Sequence, residues 1–287
     1  MNKVYEIVTN RIIAELEKGV VPWRMPWKQA GPPMNLVSRK PYRGLNIITL
    51  SMQGYSSKYW LTFNQARQLG GRIKSWSKAT PVILWRWIVK KENGIVEETC
   101  DEDADKTPFL KYYNVFNLDQ VDGIYPPDDD EKLEFNPIEK AEAVVGGYKD
   151  GPVIEETGNQ ACYIPNRDVI QIPRKERFVS VAEYYSTLFH EAIHSTGNAS
   201  RLNRHKEKEN HRFAGEDYSR EELCAELGAC FLCSHAGICT KALNDNAASY
   251  LAHWLQALKN DKRLIVHAAS QAQKAADYIL GNTYERD

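Results

Sequence analysis

The feature that most constrains this chain is the segment 187–197, Thr-Leu-Phe-His-Glu-Ala-Ile-His-Ser-Thr-Gly, which contains the pattern H-E-x-x-H. Upstream of it, Ser180 is followed three residues later by Glu183, which is a capping-box signal for the start of a helix. Gly197 is a signal for the end of that helix. Because apolar residues surround the pattern, these signals predict one helix of about four turns that is buried in a domain core.

His190 and His194 would lie one turn apart on the same face of this helix, where two neutral imidazoles can bind one metal ion. In catalytic sites Zn²⁺ keeps one position for water and lowers the pKa of that water to about 7. Glu191 is adjacent and could take the proton and pass it to a leaving amine. The pattern therefore predicts zinc ligands at His190 and His194 and a general base at Glu191, although a five-residue pattern can also arise by chance.

A tetrahedral catalytic zinc site needs a third protein ligand. The segment 219–232 predicts a second helix on which Glu222 and Glu226, four residues apart, share one face. We expect Glu222 to be the third ligand and Glu226 to accept the hydrogen bond that fixes the tautomer of a ligand histidine. The opposite assignment stays open, because Glu222 could instead complete a capping box with Ser219 and leave Glu226 as the ligand.

Charge is distributed unevenly along the chain, although the formal net charge is only −1. Residues 1–91 contain sixteen Lys and Arg against three Glu, whereas residues 92–151 contain five Lys against seventeen acidic residues. Six of the seven tryptophans also lie within residues 1–91. Cations that follow phosphates, interleaved with aromatic rings on which bases stack, are typical of proteins that bind single-stranded nucleic acid. The alternative is that the tryptophans form a core and the cations a solvated face.

Duplex-reading motifs such as zinc-finger spacings or a basic leucine zipper are absent from the sequence, which favours single strands. The residues expected to contact nucleic acid are Trp23, Arg24, Trp27, Lys28, Arg39, Lys40, Tyr42, Arg43, Asn46, Trp60, Arg72, Lys74 and Trp76.

The charged, turn-rich segment 126–136 is predicted to link two domains, residues 1–125 and residues 137–287. In the first domain, apolar periodicity predicts a helix over 3–18, a short helix framed by Thr62 and Gln65, and strands over 80–91, 95–99 and 109–118, with a hairpin turn at Asn93-Gly94. In the second, it predicts a helix through 141–145, two short strands over 162–165 and 169–173, and closing helices over 247–258 and 264–280. The expected fold class is therefore α+β, with a basic α+β domain followed by a mainly helical domain that has a small sheet.

The strand predicted at 162–165 comes shortly before the site helix, and such a strand can bind an extended peptide by edge pairing. Tyr163 lies on it and could contact an oxyanion or the substrate, or it could simply pack.

The first residues lack the apolar run of a signal peptide, and no run approaches the roughly 18 apolar residues that a membrane span needs. The six cysteines do not form a disulfide framework. We therefore expect a cytoplasmic protein with reduced thiols and no membrane partner. Cys230 and Cys233 form a C-x-x-C that could hold a second zinc ion, but buried thiols are common in an apolar helix of this kind.

Together these motifs resemble the ArdC-type antirestriction proteins of plasmids and mobile elements, nearly end to end. The matching segments are Pro22-Trp23-Arg24 with Pro26-Trp27, Tyr42-Arg43-Gly44-Leu45-Asn46, 60–66, Val115-Phe116-Asn117, 184–197, Arg201-Leu202-Asn203-Arg204 and 221–227. The resemblance implies an N-terminal domain that binds single-stranded DNA, also found in plasmid primases that travel with transferred DNA, and a C-terminal zincin-like metallopeptidase domain. It also implies protection of incoming DNA from restriction. The basic stretch 72–78 departs from the family pattern, which has a glycine-containing turn there.

Two functions remain open at the level of sequence. The chain could be a zinc peptidase that cuts a DNA-bound protein, with Glu191 as the base. The intact H-E-x-x-H pattern favours this function. The alternative is a binding protein that coats or blocks single-stranded DNA, in which the zincin-like domain is structural or a docking surface.

Overall fold

The computed structural model describes residues 3–24, 31–90, 96–99, 106–127, 137–204, 214–238 and 247–282. The predicted hairpin turn at Asn93-Gly94 and most of the predicted linker lie outside these residues. The helices are α1 Lys3–Glu17, α2 Leu45–Ser51, α3 Phe63–Gln68, α4 Pro137–Gly147, α5 Val181–Ser195, α6 Ala214–Ala236, α7 Ala247–Asn260 and α8 Leu264–Leu280. The strands are β1 Met34–Asn35, β2 Tyr59–Thr62, β3 Arg72–Ile73, β4 Thr80–Lys90, β5 Val96–Thr99, β6 Lys106–Asn117, β7 Val121–Asp122, β8 Val153–Glu156, β9 Cys162–Ile164 and β10 Val169–Ile172.

The predicted α+β class is confirmed, since a mixed sheet dominates the first part of the chain and helices dominate the second. The large sheet has the strand order β1-β2-β6-β4-β5, in which β1 and β2 are parallel and the other pairs antiparallel. The smaller sheet has the order β8-β10-β9, so that β9 is an edge strand, and it packs on α5. A third, two-stranded sheet joins β3 to β7.

Most of the helices form where local sequence predicts them, whereas α2 was not predicted as a helix. Residues of α1 spaced four apart, Val4, Val8, Ile12 and Leu16, are all buried, which gives this helix a single apolar face. Short α3 begins with a complete capping box between Thr62 and Gln65. No helix among the described residues is long and apolar enough to cross a membrane.

The main hydrophobic core runs continuously across the predicted domain boundary. It joins apolar residues of α1 and α2 to those of α4–α8. Polar contacts reinforce this interface, because Thr9 donates to the Lys262 carbonyl at 2.6 Å and Arg43 forms an ion pair with Asp277. The division at 125 and 137 remains a prediction, but the first helices depend on the C-terminal helices for burial.

Candidate metal centre and basic surface

Helix α5 carries both histidines of the predicted metal site on one face. Its N-cap is Ser180, whose hydroxyl accepts from the backbone N–H of Glu183 at 3.2 Å, as the sequence predicted. The Glu183 carboxylate in turn accepts from the Val179 N–H at 3.2 Å. The helix is thus fixed at its start. About three to four turns later, the Nε2 atoms of His190 and His194 lie 3.1 Å apart.

Helix α6 brings Glu222 to the same place. Its carboxylate oxygens lie 3.6 Å from His190 Nε2 and 3.5 Å from His194 Nε2. One donor atom from each of these three residues lies within 4.8 Å of the other two, and among the described residues they form the group suited to hold a metal ion. Two imidazole nitrogens and one carboxylate oxygen are a donor set that suits Zn²⁺ and related divalent ions.

The two helices can approach this closely because residue 228 of α6 is glycine. A Cβ at Gly228 would lie 2.6–3.0 Å from three side-chain atoms of Ile193, a fully buried residue of α5. A side chain at this position would therefore force Ile193 or one of the two helices that carry the histidines and Glu222 to shift.

The electrostatics of the site favour a cation. Burial alone would lower the pKa of His190, but the hydrogen bond with Glu222 and the negative charges of Glu226 and Glu191 raise it by more, so that the pKa lies above its ordinary value. A divalent ion bound here would compensate the excess of negative charge around the two nitrogen ligands.

Glu191, the predicted general base, is buried and held from the edge strand β9. Its Oε2 accepts a hydrogen bond from the backbone N–H of Tyr163 at 2.8 Å. A carboxylate anchored through one oxygen has a fixed direction, which a base acting on a water molecule beside a metal needs.

Tyr163 was expected either to contact an oxyanion or the substrate or simply to pack, and its phenol is hydrogen-bonded within the fold. The phenol donates to Asp168 at 2.8 Å and accepts from the Asn198 amide at 2.8 Å, while burial raises its pKa. The hydroxyl proton is thus committed to Asp168. It is the main chain of Tyr163 that reaches the site, through the hydrogen bond to Glu191.

The sequence predicted that Glu226 would accept a hydrogen bond from a ligand histidine, and the structure places it elsewhere. Its carboxylate is bound by the guanidinium of Arg24, with Arg24 Nε 3.0 Å from Oε2. Glu221 takes the expected place, since its Oε1 lies 3.3 Å from His194 Nδ1. The correction has a geometric cause: Glu226 lies one turn past Glu222 and faces the N-terminal segment, whereas Glu221 faces the end of α5.

Sequence reasoning also missed the polar residues that hold Glu221 and Asp168, namely Arg204 and Arg201. The sequence signal available for them was the segment Arg201-Leu202-Asn203-Arg204, which is one of the segments that resemble the ArdC family.

Two of the tryptophans expected to stack on DNA belong to the core. Trp23 is 3% exposed and packs edge-on against Trp254, and Trp60 is fully buried against Tyr55. For these two residues the alternative that tryptophans form a core is correct, because a buried ring cannot stack on a base. Trp27 and Lys28 lie outside the described residues.

Other residues that were predicted to contact DNA make ion pairs or hydrogen bonds within the fold. Arg24 and Arg43 form ion pairs with Glu226 and Asp277 of the C-terminal helices. The Asn46 side chain makes two hydrogen bonds of 2.8 Å with the main chain of Ile83.

Tyr42, Arg39 and Lys40 complete the second predicted segment. Tyr42 is half-buried, and burial raises the pKa of its phenol to about 12. Arg39 and Lys40 are exposed, and the Arg39 guanidinium donates to the Tyr59 hydroxyl at 3.0 Å.

The remaining predicted residues lie around an exposed turn between β3 and β4. Trp76 is 99% exposed and has a φ of +67°, a conformation that bulky side chains rarely adopt. Arg72, Lys74 and Lys78 flank it and are also exposed. We call residues 72–78 the Trp76 turn.

The large sheet adds exposed aromatic residues that the sequence analysis did not select. Trp85 and Tyr112 share one face of the β4–β6 pair, because Ile83 is opposite Tyr112 and Trp85 opposite Leu110.

Two family models match this chain in succession. One is described as the N-terminal domain of the anti-restriction factor ArdC and matches residues 2–116. The other is described as a zincin-like metallopeptidase and matches residues 139–271.

Similar proteins cover the chain from end to end. An uncharacterized protein of Sinorhizobium fredii, y4eC, is 34% identical over 96% of this chain and 91% of its own length. Two Escherichia coli proteins named DNA primase TraC are 31% and 32% identical over 96% of this chain, which spans only 20% and 27% of their length.

Two crystal structures of the antirestriction ArdC protein from the R388 plasmid are also similar, each at 37% identity. The metal-free structure has a TM-score of 0.73 with 96% of both chains covered, and the Mn(II)-bound structure has a TM-score of 0.74 with 99% of both chains covered.

Proposed function

This chain belongs to the family of ArdC antirestriction proteins, and from that premise we propose that it binds single-stranded DNA and acts as a metal-dependent peptidase that protects incoming plasmid or mobile-element DNA. The main support is the convergence of His190, His194 and Glu222 beside the anchored carboxylate of Glu191. A structural domain or docking surface would need neither a three-residue donor group nor a buried base next to it.

The donor set and the negative surroundings of His190 fit a divalent cation, held by His190, His194 and Glu222. Zn²⁺ is our choice from the chemistry of the ligands, and the Mn(II)-bound relative indicates that Mn²⁺ is a second candidate. When bound, such an ion would polarise a peptide carbonyl and acidify a water molecule.

The remaining steps belong to the protein's own groups. The Tyr163 N–H directs the Glu191 carboxylate, which accepts the proton of the attacking water and returns it to the leaving amine. Among the described residues the edge strand β9, which carries Tyr163, has a strand neighbour on one side only, and an extended substrate can lie along its other side.

For the DNA-binding part, the support comes from the Trp76 turn. A tryptophan held fully exposed at a left-handed φ is strained and buries no apolar surface, so its conformation does not serve the stability of the fold. Three exposed cations lie in the same seven-residue segment, 72–78. An aromatic platform among cations is the arrangement that single-stranded DNA requires.

The peptidase role is tested with the variant Glu191→Gln, and Glu176→Gln, an exposed glutamate outside the site, serves as the matched control. Wild type, variant and control are incubated with Zn²⁺ or Mn²⁺, single-stranded DNA and DNA-binding proteins, and new chain termini are identified by mass spectrometry. Metal affinity is measured on the same samples. We expect the variant to keep its metal but to lose cleavage, and a variant as active as wild type would exclude Glu191 as the base.

The same variant separates the two functions that the sequence left open. Transfer of unmodified plasmid DNA into a restricting recipient is counted with each variant present. If Glu191→Gln protects incoming DNA as well as wild type does, the protein acts by binding alone and the peptidase proposal fails.

The DNA-binding role is tested on the full chain, because α1 and α2 pack against the C-terminal helices. Affinity for single-stranded and duplex DNA is measured over a range of salt. Trp76→Ala should weaken single-strand binding by about 1–3 kcal/mol, whereas Trp76→Phe, which keeps an aromatic face, should weaken it less. Equal affinities for all three proteins would show that the Trp76 turn is not part of the DNA interface.

A further inference from the structure

The segment 201–204, Arg-Leu-Asn-Arg, follows the site helix and carries two arginines that are neither metal ligands nor a base. We call it the two-arginine loop. The side chain of Arg201 is 2% exposed and that of Arg204 is 9% exposed. Buried guanidinium groups are costly unless they are paired, so the groups that pair with them indicate what the loop does.

Arg204 is directed toward the metal centre. Its guanidinium makes two contacts with Glu221, at 2.8 Å from Nη2 and 3.3 Å from Nε. It also donates to the Ile193 carbonyl at 2.9 Å and to the Thr196 hydroxyl at 2.6 Å, both at the end of α5. Glu221 in turn lies 3.3 Å from His194 Nδ1, which makes a chain from Arg204 through Glu221 to a metal-binding histidine.

Arg201 is directed toward the other side of the site. It makes a bidentate pair with Asp168 at 2.7 and 2.9 Å and donates to the Ser195 carbonyl at 3.0 Å. Asp168 accepts from the Tyr163 hydroxyl at 2.8 Å, and the main chain of Tyr163 holds Glu191. This second chain runs from Arg201 through Asp168 and Tyr163 to the proposed base.

The loop itself is pinned to the end of the site helix. The Leu202 N–H donates to the Thr196 carbonyl at 2.9 Å and the Asn203 N–H to the Asn198 carbonyl at 3.0 Å. Asn203 has a φ of +54°, a conformation that asparagine tolerates better than most residues. This turn lets two arginines three residues apart reach opposite sides of the site.

We propose that the two-arginine loop positions the catalytic groups by two separate routes, Arg204 through Glu221 acting on the ligand His194, and Arg201 through Asp168 and Tyr163 acting on Glu191. This inference rests on the proposed function, but it concerns positioning residues rather than metal ligands or the base.

The physical basis of the first route is the tautomer of His194. The Glu221 carboxylate lies against Nδ1, so that Nδ1 carries the proton it donates and the Nε2 lone pair is free for the metal. Arg204 holds this carboxylate in place through its two contacts, because a buried carboxylate without a partner would turn away from the histidine.

The first route is tested by metal affinity, which needs no substrate. Calorimetric titration of the full chain with Mn²⁺ and with Zn²⁺ is performed on Arg204→Gln, Arg201→Gln and wild type. We expect Arg204→Gln to lower the affinity by about 10–100-fold, and Arg201→Gln to leave it within about threefold. Equal affinities for Arg204→Gln and wild type would overturn the route.

Glu221→Gln provides a background in which the charge that Arg204 balances is already absent. In that background Arg204→Gln should lower the metal affinity only slightly further. The four proteins form a double-mutant cycle, which isolates the coupling between Arg204 and Glu221. A full additional loss in that background would contradict the route through Glu221. If Arg204→Gln does not fold, Glu221→Gln alone still decides the matter, because the route requires it to weaken metal binding.

The second route is tested by hydrogen exchange of the Tyr163 amide in the metal-free chain, since this amide donates to Glu191. We expect Arg201→Gln and Asp168→Asn to speed its exchange by about tenfold or more, and Arg204→Gln to leave it unchanged. If both arginine variants alter both measurements alike, the loop is merely structural. Neither measurement depends on cleavage, so the positioning routes and the peptidase proposal can fail independently.

Discussion

The close contact of α5 and α6 at Gly228 makes a sharp prediction for Gly228→Ala. A Cβ there would lie 2.6 Å from Cδ1, 2.7 Å from Cγ1 and 3.0 Å from Cγ2 of Ile193. Rotating the end of the isoleucine could move Cδ1 away but not Cγ1 and Cγ2, which branch from its Cβ. Ile193 is fully buried, so the strain must be relieved by a shift of one helix.

Two opposing effects decide the size of the change. Replacing a helical glycine by alanine gains about 0.5–1 kcal/mol from lower backbone entropy in the unfolded chain. Overpacking a buried contact costs about 1–3 kcal/mol. Because three atoms are affected, we expect overpacking to win and Gly228→Ala to lower the free energy of unfolding by about 1–2 kcal/mol.

The same shift should weaken metal binding, because α5 carries His190 and His194 whereas α6 carries Glu222. Gly228→Ala should therefore bind Mn²⁺ or Zn²⁺ less tightly than wild type, in proportion to the displacement of the two helices. Urea denaturation of the metal-free chain and calorimetric metal titration measure the two consequences separately.

Gly146→Ala is the matched control, since Gly146 lies in α4, is exposed and has no atom within 4 Å of its would-be Cβ. It should raise the free energy of unfolding by about 0.4–1 kcal/mol. In an Ile193→Ala background, Gly228→Ala should lose its penalty. If Gly228→Ala stabilises the wild-type chain as much as Gly146→Ala does, the spacing of α5 and α6 is not set by Gly228.

Three further predictions follow from single residues. Trp76→Gly should raise the free energy of unfolding by about 1 kcal/mol in urea titrations, because glycine accepts the left-handed φ, and should lower single-stranded DNA affinity in the same preparation; changes of the same sign would contradict this. The hydrogen bond from Arg201 lowers the pKa of Asp168 below its ordinary value of 3.8. The ionised Asp168 therefore stabilises the folded chain above that pH, and this contribution is lost as the pH falls through the native pKa. In denaturation series Asp168→Asn should therefore destabilise the chain at about pH 7, and this effect should shrink as the pH falls through the native pKa of Asp168. Burial raises the pKa of Cys224 to about 12, so alkylation mapped by mass spectrometry in the native state should modify exposed Cys162 and spare Cys224.

Local elements of the site were predictable because they depend on residues close in sequence. The helix of 181–195 follows from its N-cap and its apolar period, and the four-residue spacing of His190 and His194 is enough to place both rings on one face. Glu222 could be chosen as the third ligand because the chemistry of zinc demands one and a second helix offers it. The structure brings it to both histidines, which is the arrangement expected.

The tryptophans show where composition stops being informative. Trp23, Trp60 and Trp76 lie in the same basic segment, yet the first two are buried and the third is fully exposed. Burial depends on which elements pack together. Trp23 is covered by Trp254, more than two hundred residues later in the chain.

The sequence by itself determined the chemistry of this protein: an H-E-x-x-H helix, an acidic partner helix and a basic, aromatic N-terminal part. Only the tertiary structure decided which residues support that chemistry, because Arg24 meets Glu226, Arg204 meets Glu221 and the Tyr163 amide meets Glu191 across separate elements. Helical periodicity fixes neighbours within one or two turns, whereas contacts between elements depend on how close the packed helices and strands can come.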